Sequence, residues 1–377
     1  MNRKDQAKRV VFSTDNLFGG TGAHLLHMTK YWDPSQWMPI FISKARKTVH
    51  TSFDVPIEFL PSPRLLTRYP FAQLHEIRYF NRYLSAKSPD IVHAYFFWPI
   101  LYGRIMKILG KINILVENRE DQGFDWGRHE YALLNWTRSL PDRVICVSDA
   151  VREEVLRKEH LDPNRTMVIR NGVEIANGDK GDKSVIRRDL GLGEDDLVVG
   201  IVANYDRPIK GVSHFLESIP FIVREVPSAR FLVLGKGGEE ERPMRKKAKS
   251  LGIDPFVIFA GYQEDIHRYY SIMDISALTS LSEGLSITIL ESMGHGIPVV
   301  VTNVGGNPEV VVDGETGYLV PPGNIPSFVE KVVHLLKHPD LRFHMGQAGC
   351  RKVETQFRIC DVAKKYLGVY EELIDTA

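Results

Sequence analysis

Two glutamates lie eight positions apart, Glu283 and Glu291, in the mostly uncharged segment 282–300, SEGLSITILESMGHGIPVV. The residues just before it, DISALTS, predict a strand. Gly284 belongs to the turn that follows, and Ser286 is a candidate N-cap for a short helix. The segment therefore predicts a strand, a turn and a helix, with a carboxylate before the helix and another in its second turn.

The start of this helix is a candidate anion site. The backbone N–H groups of Gly284, Leu285 and Ser286 would lie at a helix amino terminus, at the carboxyl end of a strand, which favours a phosphate or diphosphate. Glu283 would reach whatever the phosphate carries, and Glu291 could accept hydrogen bonds from ribose hydroxyls. Either glutamate alone could equally be a surface residue. Together they indicate a nucleotide diphosphate attached to a sugar.

A second candidate anion-binding element is NYDRPIKG, after the apolar run VVGIVA. Arg207 and Lys210 lie three residues apart in a loop that opens a helix. Cations at this position can hold a diphosphate and stabilise the charge that develops on a leaving group. The alternative is a solvated pair of loop residues.

The glycine-rich stretch LFGGTGAHLL follows the first predicted strand. Its glycines, Gly20 among them, would bring backbone close to a ligand, and the next helix would add its positive end. It does not match GxGxxG, and no acidic residue ends the next predicted strand, PIFIS, so a dinucleotide site is disfavoured. A tight strand-to-helix turn is the alternative.

Composition and length set limits on the function. The chain has 377 residues, more than one hydrophobic core usually supports, and a net charge of +1 that gives no reason to expect nucleic acid as a partner. Three cysteines without a CxxC motif favour a reducing, cytoplasmic compartment. No apolar run is long enough for a membrane span, and no metal-binding motif is present.

Short β-branched runs alternate with helical patterns throughout the chain, which predicts parallel doubly wound sheets. The aperiodic, Gly- and Asp-rich stretch 171–184 reads as an interdomain linker. The expected domains are 1–175 and 186–359, with the linker at 176–185. A C-terminal helix, about 360–377, has one apolar face and is expected to pack back on the first domain.

The segment SLSEGLSITILESMGHGIPVVVTNVGGNPEVVVDGETGYLVPPGN resembles the donor-binding signature of retaining nucleotide-sugar glycosyltransferases of the GT-B fold, family 4. DIVHAY, VICVSDAV, VIRNGVE, NYDRPIKG, VLGKGG and FAGYQEDI match the family in the same order. The resemblance implies two Rossmann-like domains facing a cleft, the first for the acceptor and the second for the donor. It also implies that neither a metal nor a cofactor is needed.

The resemblance assigns Lys210 to the donor phosphates. It also implies an arginine near the position of Asn204, which is missing here, so Arg207 is the candidate replacement. Asn204 remains a candidate donor-binding residue.

In the first domain, the resemblance places His93 of DIVHAY in the cleft, although a satisfied structural histidine is an equal alternative. In LVENREDQGF, Asn118 stands where many members have a histidine that contacts the donor sugar. Asn118 can still bind a hydroxyl group, and Arg119 beside it is a further candidate for the cleft.

The expected function is transfer of a sugar from a nucleotide diphosphate to a hydroxyl acceptor, in glycan, glycolipid or polysaccharide biosynthesis. The acceptor could be a sugar, a lipid-linked sugar or a small molecule. Segment 64–87 mixes arginines with apolar residues, which fits a helix on an anionic inner membrane face or, preferably, a core-packed helix. The alternatives are a non-catalytic or partner-dependent homologue and a nucleotide-sugar epimerase or phosphorylase.

Overall fold

A computed structural model describes residues 6–15, 17, 20–43, 57–60, 70–123, 126–175 and 182–377, without the side chains of 70–72. The chain divides into two compact units. The first is Met1–Gly172 together with Ile359–Ala377, and the second is Val173–Arg358.

The first unit contains a parallel sheet with the strand order β3-β2-β1-β4-β5-β6-β7. Its elements are β1 (Lys8–Thr14), α1 (Gly20–Thr29), β2 (Trp37–Ser43), β3 (Ile57–Phe59), α2 (Pro70–Lys87), β4 (Ile91–Tyr95), α3 (Phe97–Ile108), β5 (Ile114–Arg119), α4 (Arg128–Trp136), β6 (Arg143–Cys146), α5 (Asp149–Glu159) and β7 (Thr166–Val168).

The second unit contains a parallel sheet with the order β10-β9-β8-β11-β12-β13. Its elements are α6 (Lys183–Asp189), β8 (Leu197–Val202), α7 (Val212–Glu225), β9 (Ala229–Leu234), α8 (Glu241–Ser250), β10 (Val257–Gly261), α9 (His267–Tyr270), β11 (Ile275–Leu278), α10 (Ile287–Gly294), β12 (Val299–Thr302), α11 (Asn307–Val310), β13 (Gly317–Val320), α12 (Ile325–Lys337) and α13 (Pro339–Gln356).

Most of the strands contain an uninterrupted apolar run, as expected when helices cover both faces of each sheet. In β8, Val199 and Ile201 belong to one hydrophobic cluster and Val198 to another, as alternating side chains require. Strand β12 is buried at every position. The prediction of two doubly wound parallel sheets is therefore confirmed.

The boundary between the units lies after Gly172, slightly before the predicted end of the first domain. Residues 176–181 of the predicted linker lie outside the described residues. The rest of it is not a linker, since α6 begins at Lys183 and Asp182 accepts a hydrogen bond from the Ser184 backbone N–H at 2.9 Å. An aspartate followed by polar residues looks like loop sequence, yet it also caps a helix.

The chain ends in α14 (Ile359–Thr376), which belongs to the first unit. Its buried face includes Tyr366 and Tyr370, in one hydrophobic cluster with β1. The ring of Tyr370 lies 5.9 Å from the rings of both Trp32 and Trp37.

Helix α2 covers the described part of the segment 64–87; residues 64–69 lie outside the described residues. Phe80 and Leu84 are buried in a core cluster, and Arg78 and Arg82 are exposed. The core-packed alternative therefore holds for this helix. Among the described residues, no helix is long and apolar enough to cross a membrane.

Candidate active site

The two charged loops of the second unit meet at one point of its sheet. Strands β8 and β11 are neighbours, and the chain order reverses between them. Ligands of parallel sheets bind beyond the carboxyl ends of strands at such a reversal. The loop after β8 carries Lys210, and the loop after β11 carries Glu283.

Backbone contacts hold these two loops together. The Leu281 N–H donates to the Ile209 carbonyl at 2.8 Å, and the Thr279 hydroxyl donates to the Gly211 carbonyl at 2.9 Å. Gly211 has φ 64°, and a Cβ there would lie 1.9 Å from the Thr279 oxygen. Glycine is thus required at this position for the loops to approach each other.

Lys210 and Glu283 form the central ion pair of the site. The lysine Nζ donates to the two carboxylate oxygens at 2.8 and 2.9 Å. Lys210 is 23% exposed and Glu283 7% exposed, so the pair is open to a ligand mainly from the lysine side. Sequence reasoning selected both residues but did not predict that they bind each other.

Sequence reasoning missed two residues that fix Glu283. The Ser280 hydroxyl donates to its Oε1 at 2.6 Å. Gly305 has φ 51°, and a Cβ there would lie 1.7 Å from the Glu283 backbone oxygen. The glycine pair in NVGGNP was the available signal for this close approach.

Helix α10 starts at the predicted anion site. Ser286 is at the N-cap position, but its hydroxyl lies 3.0 Å from the Thr288 hydroxyl, with no cap hydrogen bond to the backbone. The predicted N-cap position of Ser286 is therefore confirmed, without a capping bond from its side chain. The first N–H groups of a helix have no intrahelical acceptor, so the start of α10 is suited to an anion. Gly284, Leu285 and Ser286 are buried at this start.

Glu291 lies in the second turn of α10, where Tyr270 donates to its Oε2 at 2.8 Å. Burial raises the pKa of Glu291 to about 7, although the bond from Tyr270 opposes the rise. The carboxyl group is thus near its titration point at neutral pH.

Two histidines continue this cluster. His295 Nδ1 lies 2.8 Å from the Glu291 backbone oxygen, so this nitrogen carries the proton. Its Nε2 lies 3.3 Å from His267 Nδ1, and the two rings stack at 5.1 Å. Tyr270 and both histidines were not identified from the sequence, because no motif distinguishes them.

Asn204 has a structural contact in the loop after β8. Its Oδ1 accepts a hydrogen bond from the Lys236 backbone N–H at 2.9 Å, which ties this loop to the one after β9. Arg207 is exposed, with φ −113° and ψ 104°, the extended backbone that the following proline favours. Its role as a second cation stays a prediction.

His93 does not line an open site in the first unit. Its side chain is fully buried, and Nδ1 lies 2.7 Å from the Tyr370 hydroxyl of α14. Burial lowers the pKa of His93 to about 3, so the ring is neutral. The burial and the Tyr370 bond favour the structural alternative, but Nε2 has no hydrogen-bond partner among the described residues.

Asn118 and Arg119 point to opposite faces of β5. Asn118 accepts from the Tyr366 hydroxyl at 3.1 Å and is buried. Arg119 binds Glu159 through two bonds of 2.9 and 2.7 Å and Glu117 through one of 2.9 Å. The expectation that Arg119 lines the cleft is wrong, because its guanidinium belongs to a buried ion network.

Gly20 is the first residue of α1, as the glycine-rich turn predicts. The next residue, Thr21, donates its hydroxyl hydrogen to Glu120 Oε2 at 3.0 Å. A carboxylate therefore lies beside the helix start where the sequence indicated an anion site.

Comparison with protein families identifies the chain. The family described as Glycosyltransferase Family 4 matches residues 18–177, and the one described as Glycosyl transferases group 1 matches residues 196–338. Together these matches cover most of both units. The chain belongs to the group 1, family 4 glycosyltransferases.

This glycosyltransferase is similar to several named proteins. It is 28% identical over 231 residues to N-acetyl-alpha-D-glucosaminyl L-malate synthase of Bacillus anthracis, a match that spans 60% of each chain, less than two thirds of that relative. It is 24% identical to an Escherichia coli UDP-Gal:alpha-D-GlcNAc-diphosphoundecaprenol alpha-1,3-galactosyltransferase, over 77% of each chain.

Its fold is that of solved GT-B proteins. HepE of Anabaena, solved in complex with UDP and glucose, aligns with a TM-score of 0.86 over 97% of this chain and 100% of its own, at 19% identity. The predicted GT-B fold is confirmed.

Proposed function

We propose that this protein transfers a sugar from a nucleotide diphosphate sugar to a hydroxyl acceptor, with retention of configuration. The observation that carries the proposal is the Lys210–Glu283 pair at the start of α10. Glu291, in the second turn of the same helix, supplies a carboxylate that can accept hydrogen bonds from the ribose hydroxyl groups. Similarity to HepE, whose structure contains UDP, supports the same ligand type.

In this mechanism the donor diphosphate takes the place of Glu283 as the main partner of Lys210. The ammonium group and the first N–H groups of α10 then stabilise the negative charge on the leaving diphosphate. Glu283, released from the lysine, accepts hydrogen bonds from the transferred sugar. The bond from the sugar C1 to the diphosphate breaks, the acceptor oxygen bonds to C1 on the same face, and the diphosphate takes the acceptor proton.

The names of relatives support a proposed role in glycan or polysaccharide biosynthesis. One of them makes a glucosaminyl malate and another acts on a lipid-linked diphosphate, so the proposed acceptors are sugars, lipid-linked sugars or small hydroxyl compounds. The proposed place of action is the cytoplasm, with the inner face of an anionic membrane for a lipid-linked acceptor.

Glu291→Ala is expected to weaken nucleotide binding by about 1.5–3 kcal/mol, the cost of losing a hydrogen bond to a charged group. The pKa of Glu291 is raised to about 7, and a ribose hydroxyl donates best to the ionised form. Affinity should therefore rise between pH 6 and pH 8. Calorimetry of wild type and Glu291→Gln measures this, because the glutamine variant lacks the titration of this carboxyl group and keeps that of the phosphate and of the neighbouring groups. Equal pH profiles would contradict the assignment.

Activity is expected to survive chelation, because Lys210 and the start of α10 supply the positive charge that a metal ion provides in other transferases. Turnover is measured after dialysis against EDTA and again after addition of Mg²⁺ or Mn²⁺. Loss of turnover that either ion restores would overturn the proposal of a metal-free reaction.

Release of nucleoside diphosphate from a panel of nucleotide sugars tests the proposed function. The pure protein should hydrolyse one donor slowly and transfer its sugar faster once an acceptor is present, and NMR of the product should show the anomeric configuration of the donor. No release with any donor would favour a non-catalytic homologue. Release only with inorganic phosphate as acceptor would indicate a phosphorylase. Conversion of the sugar while it stays attached to the nucleotide would indicate an epimerase.

A further inference from the structure

Glu120, directly after β5, is a carboxylate that the donor site does not use. Thr21, in the first turn of α1, donates to its Oε2 at 3.0 Å, and the Asn118 amide donates to its Oε1. The residue as a whole is intermediate in burial. A carboxylate has about four acceptor positions, so these two bonds fix its orientation and leave acceptor capacity for a ligand.

Glu120 lies at the edge of the first sheet where a ligand is expected. Strands β1, β4 and β5 are neighbours, and the chain order reverses between β1 and β4. The residue after β4, Phe96, has φ 68° and ψ 168°, a conformation that is essentially reserved for glycine. Backbone strain of this kind concentrates at functional sites.

Among the residues that the structure describes, the groups that act on Glu120 are hydroxyl and amide groups and the Asp121 carboxylate, with no cation. Burial raises its pKa to about 7, the bonds from Thr21 and Asn118 lower it, and the nearby charge of Asp121 raises it. Tyr95 of β4 and Tyr366 of α14 also face it, and the charge of Glu120 adds to the larger effect of burial in raising their pKa values. A second anion beside this carboxylate would be repelled.

We propose that Glu120 binds a hydroxyl group of a neutral sugar acceptor at the first turn of α1. The sequence predicts an anion site at this helix start. Because Glu120 already supplies a negative charge there, the ligand is instead a group that donates a hydrogen bond, such as a sugar hydroxyl. The inference rests on the proposed function for the identity of the ligand as an acceptor. Binding of a neutral sugar at this site can be tested without turnover.

Saturation-transfer NMR with neutral and anionic sugars tests this proposal. The probes are the methyl α-glycosides of glucose, galactose and N-acetylglucosamine, each compared with its sugar 1-phosphate. At least one methyl glycoside should bind the wild-type protein at pH 8 and bind about tenfold more weakly at pH 6, since a carboxyl group with a pKa near 7 is then mostly protonated. The matching 1-phosphate should bind more weakly than the glycoside at pH 8.

Variants separate a binding role from a structural one. Glu120→Gln should reduce glycoside binding at pH 8 to its pH 6 level and remove the pH dependence. Asp121→Asn, which removes the neighbouring charge but keeps an acceptor for the Gly123 N–H, should bind the glycoside like wild type at pH 8 and keep a pH dependence, moved to lower pH. Thr21→Ser should retain binding, and Thr21→Val, which loses the hydroxyl that orients Glu120, should weaken it.

Three results would each overturn the proposal: glycoside binding by Glu120→Gln equal to wild type, binding of the 1-phosphates alone, or no binding of any probe. UDP binding to the same samples is a separate readout, because Lys210 and Glu291 belong to the other unit. Glycoside binding with the expected pH dependence but no binding of any nucleoside diphosphate would count against the proposed function and leave the role of Glu120 intact.

Discussion

Lys210→Ala is expected to lower kcat by about 10²–10³-fold, the usual effect of removing one group that stabilises charge in the transition state. Lys210 is the cation that the structure places on Glu283, at the start of the helix proposed to bind the diphosphate. Steady-state kinetics with the donor identified in the release assay measures the change.

Two controls show whether the loss is specific. Lys236→Ala removes a half-exposed cation of the neighbouring loop, paired with Asp206 at 3.6 Å, and should stay within about threefold of wild type. Lys210→Gln keeps a hydrogen-bond donor and should retain the fold if the alanine variant unfolds. Near-normal turnover of Lys210→Gln would contradict a charge-stabilising role.

The same assay tests Arg207, for which the sequence predicts a loss of the same order. If Arg207→Ala keeps near-normal turnover while Lys210→Ala is inactive, Arg207 is a solvated loop residue. Arg119 cannot then be the second cation, since Glu159 and Glu117 hold it in the core of the first unit.

Glu283→Gln is expected to lower kcat by about 10²-fold, because the amide loses both the charge that positions Lys210 and the stronger acceptor for sugar hydroxyls. Affinity for the nucleoside diphosphate should stay equal or increase. The Glu283 carboxylate, which lies 2.8 Å from Lys210 Nζ, competes with the diphosphate for this ammonium group. Kinetics and calorimetry on the same preparation give both values.

The double variant Lys210→Ala, Glu283→Gln separates the two roles of Glu283. If the glutamate only positions the lysine, Glu283→Gln has no further effect once Lys210 is absent. A further loss shows that it also acts on the sugar, as proposed. Equal losses of turnover and diphosphate affinity in the single variant would instead assign Glu283 a role in nucleotide binding or in folding.

Local patterns were sufficient for the fold and for the two charged loops. The β-branched runs predicted strands because buried parallel strands are continuously apolar. The glycines around Glu283 indicated a turn. The eight-residue spacing placed Glu291 in the second turn of the helix that follows. Each of these signals lies within a few residues of the feature that it predicts.

The first-unit residues could not be placed in this way. Adjacent strand residues point to opposite faces, but the apolar run of β5 lacks the alternation that tells which face is which, so the sequence did not show that Arg119 points into a buried ion network. Their partners come from distant segments: Glu159 from α5 and Tyr366 from the C-terminal helix. The same holds for His93, whose partner Tyr370 is 277 residues away.

Calorimetric titration of the wild-type protein with UDP, GDP and ADP, and with their monophosphates, tests most directly whether the second unit binds a nucleotide through its diphosphate. One diphosphate is expected to bind with a Kd of about 1 µM to 1 mM, the range usual for enzyme substrates, and at least about tenfold more tightly than its monophosphate. No binding of any diphosphate, or equal binding of a diphosphate and its monophosphate, would contradict the role assigned to Lys210 and the start of α10.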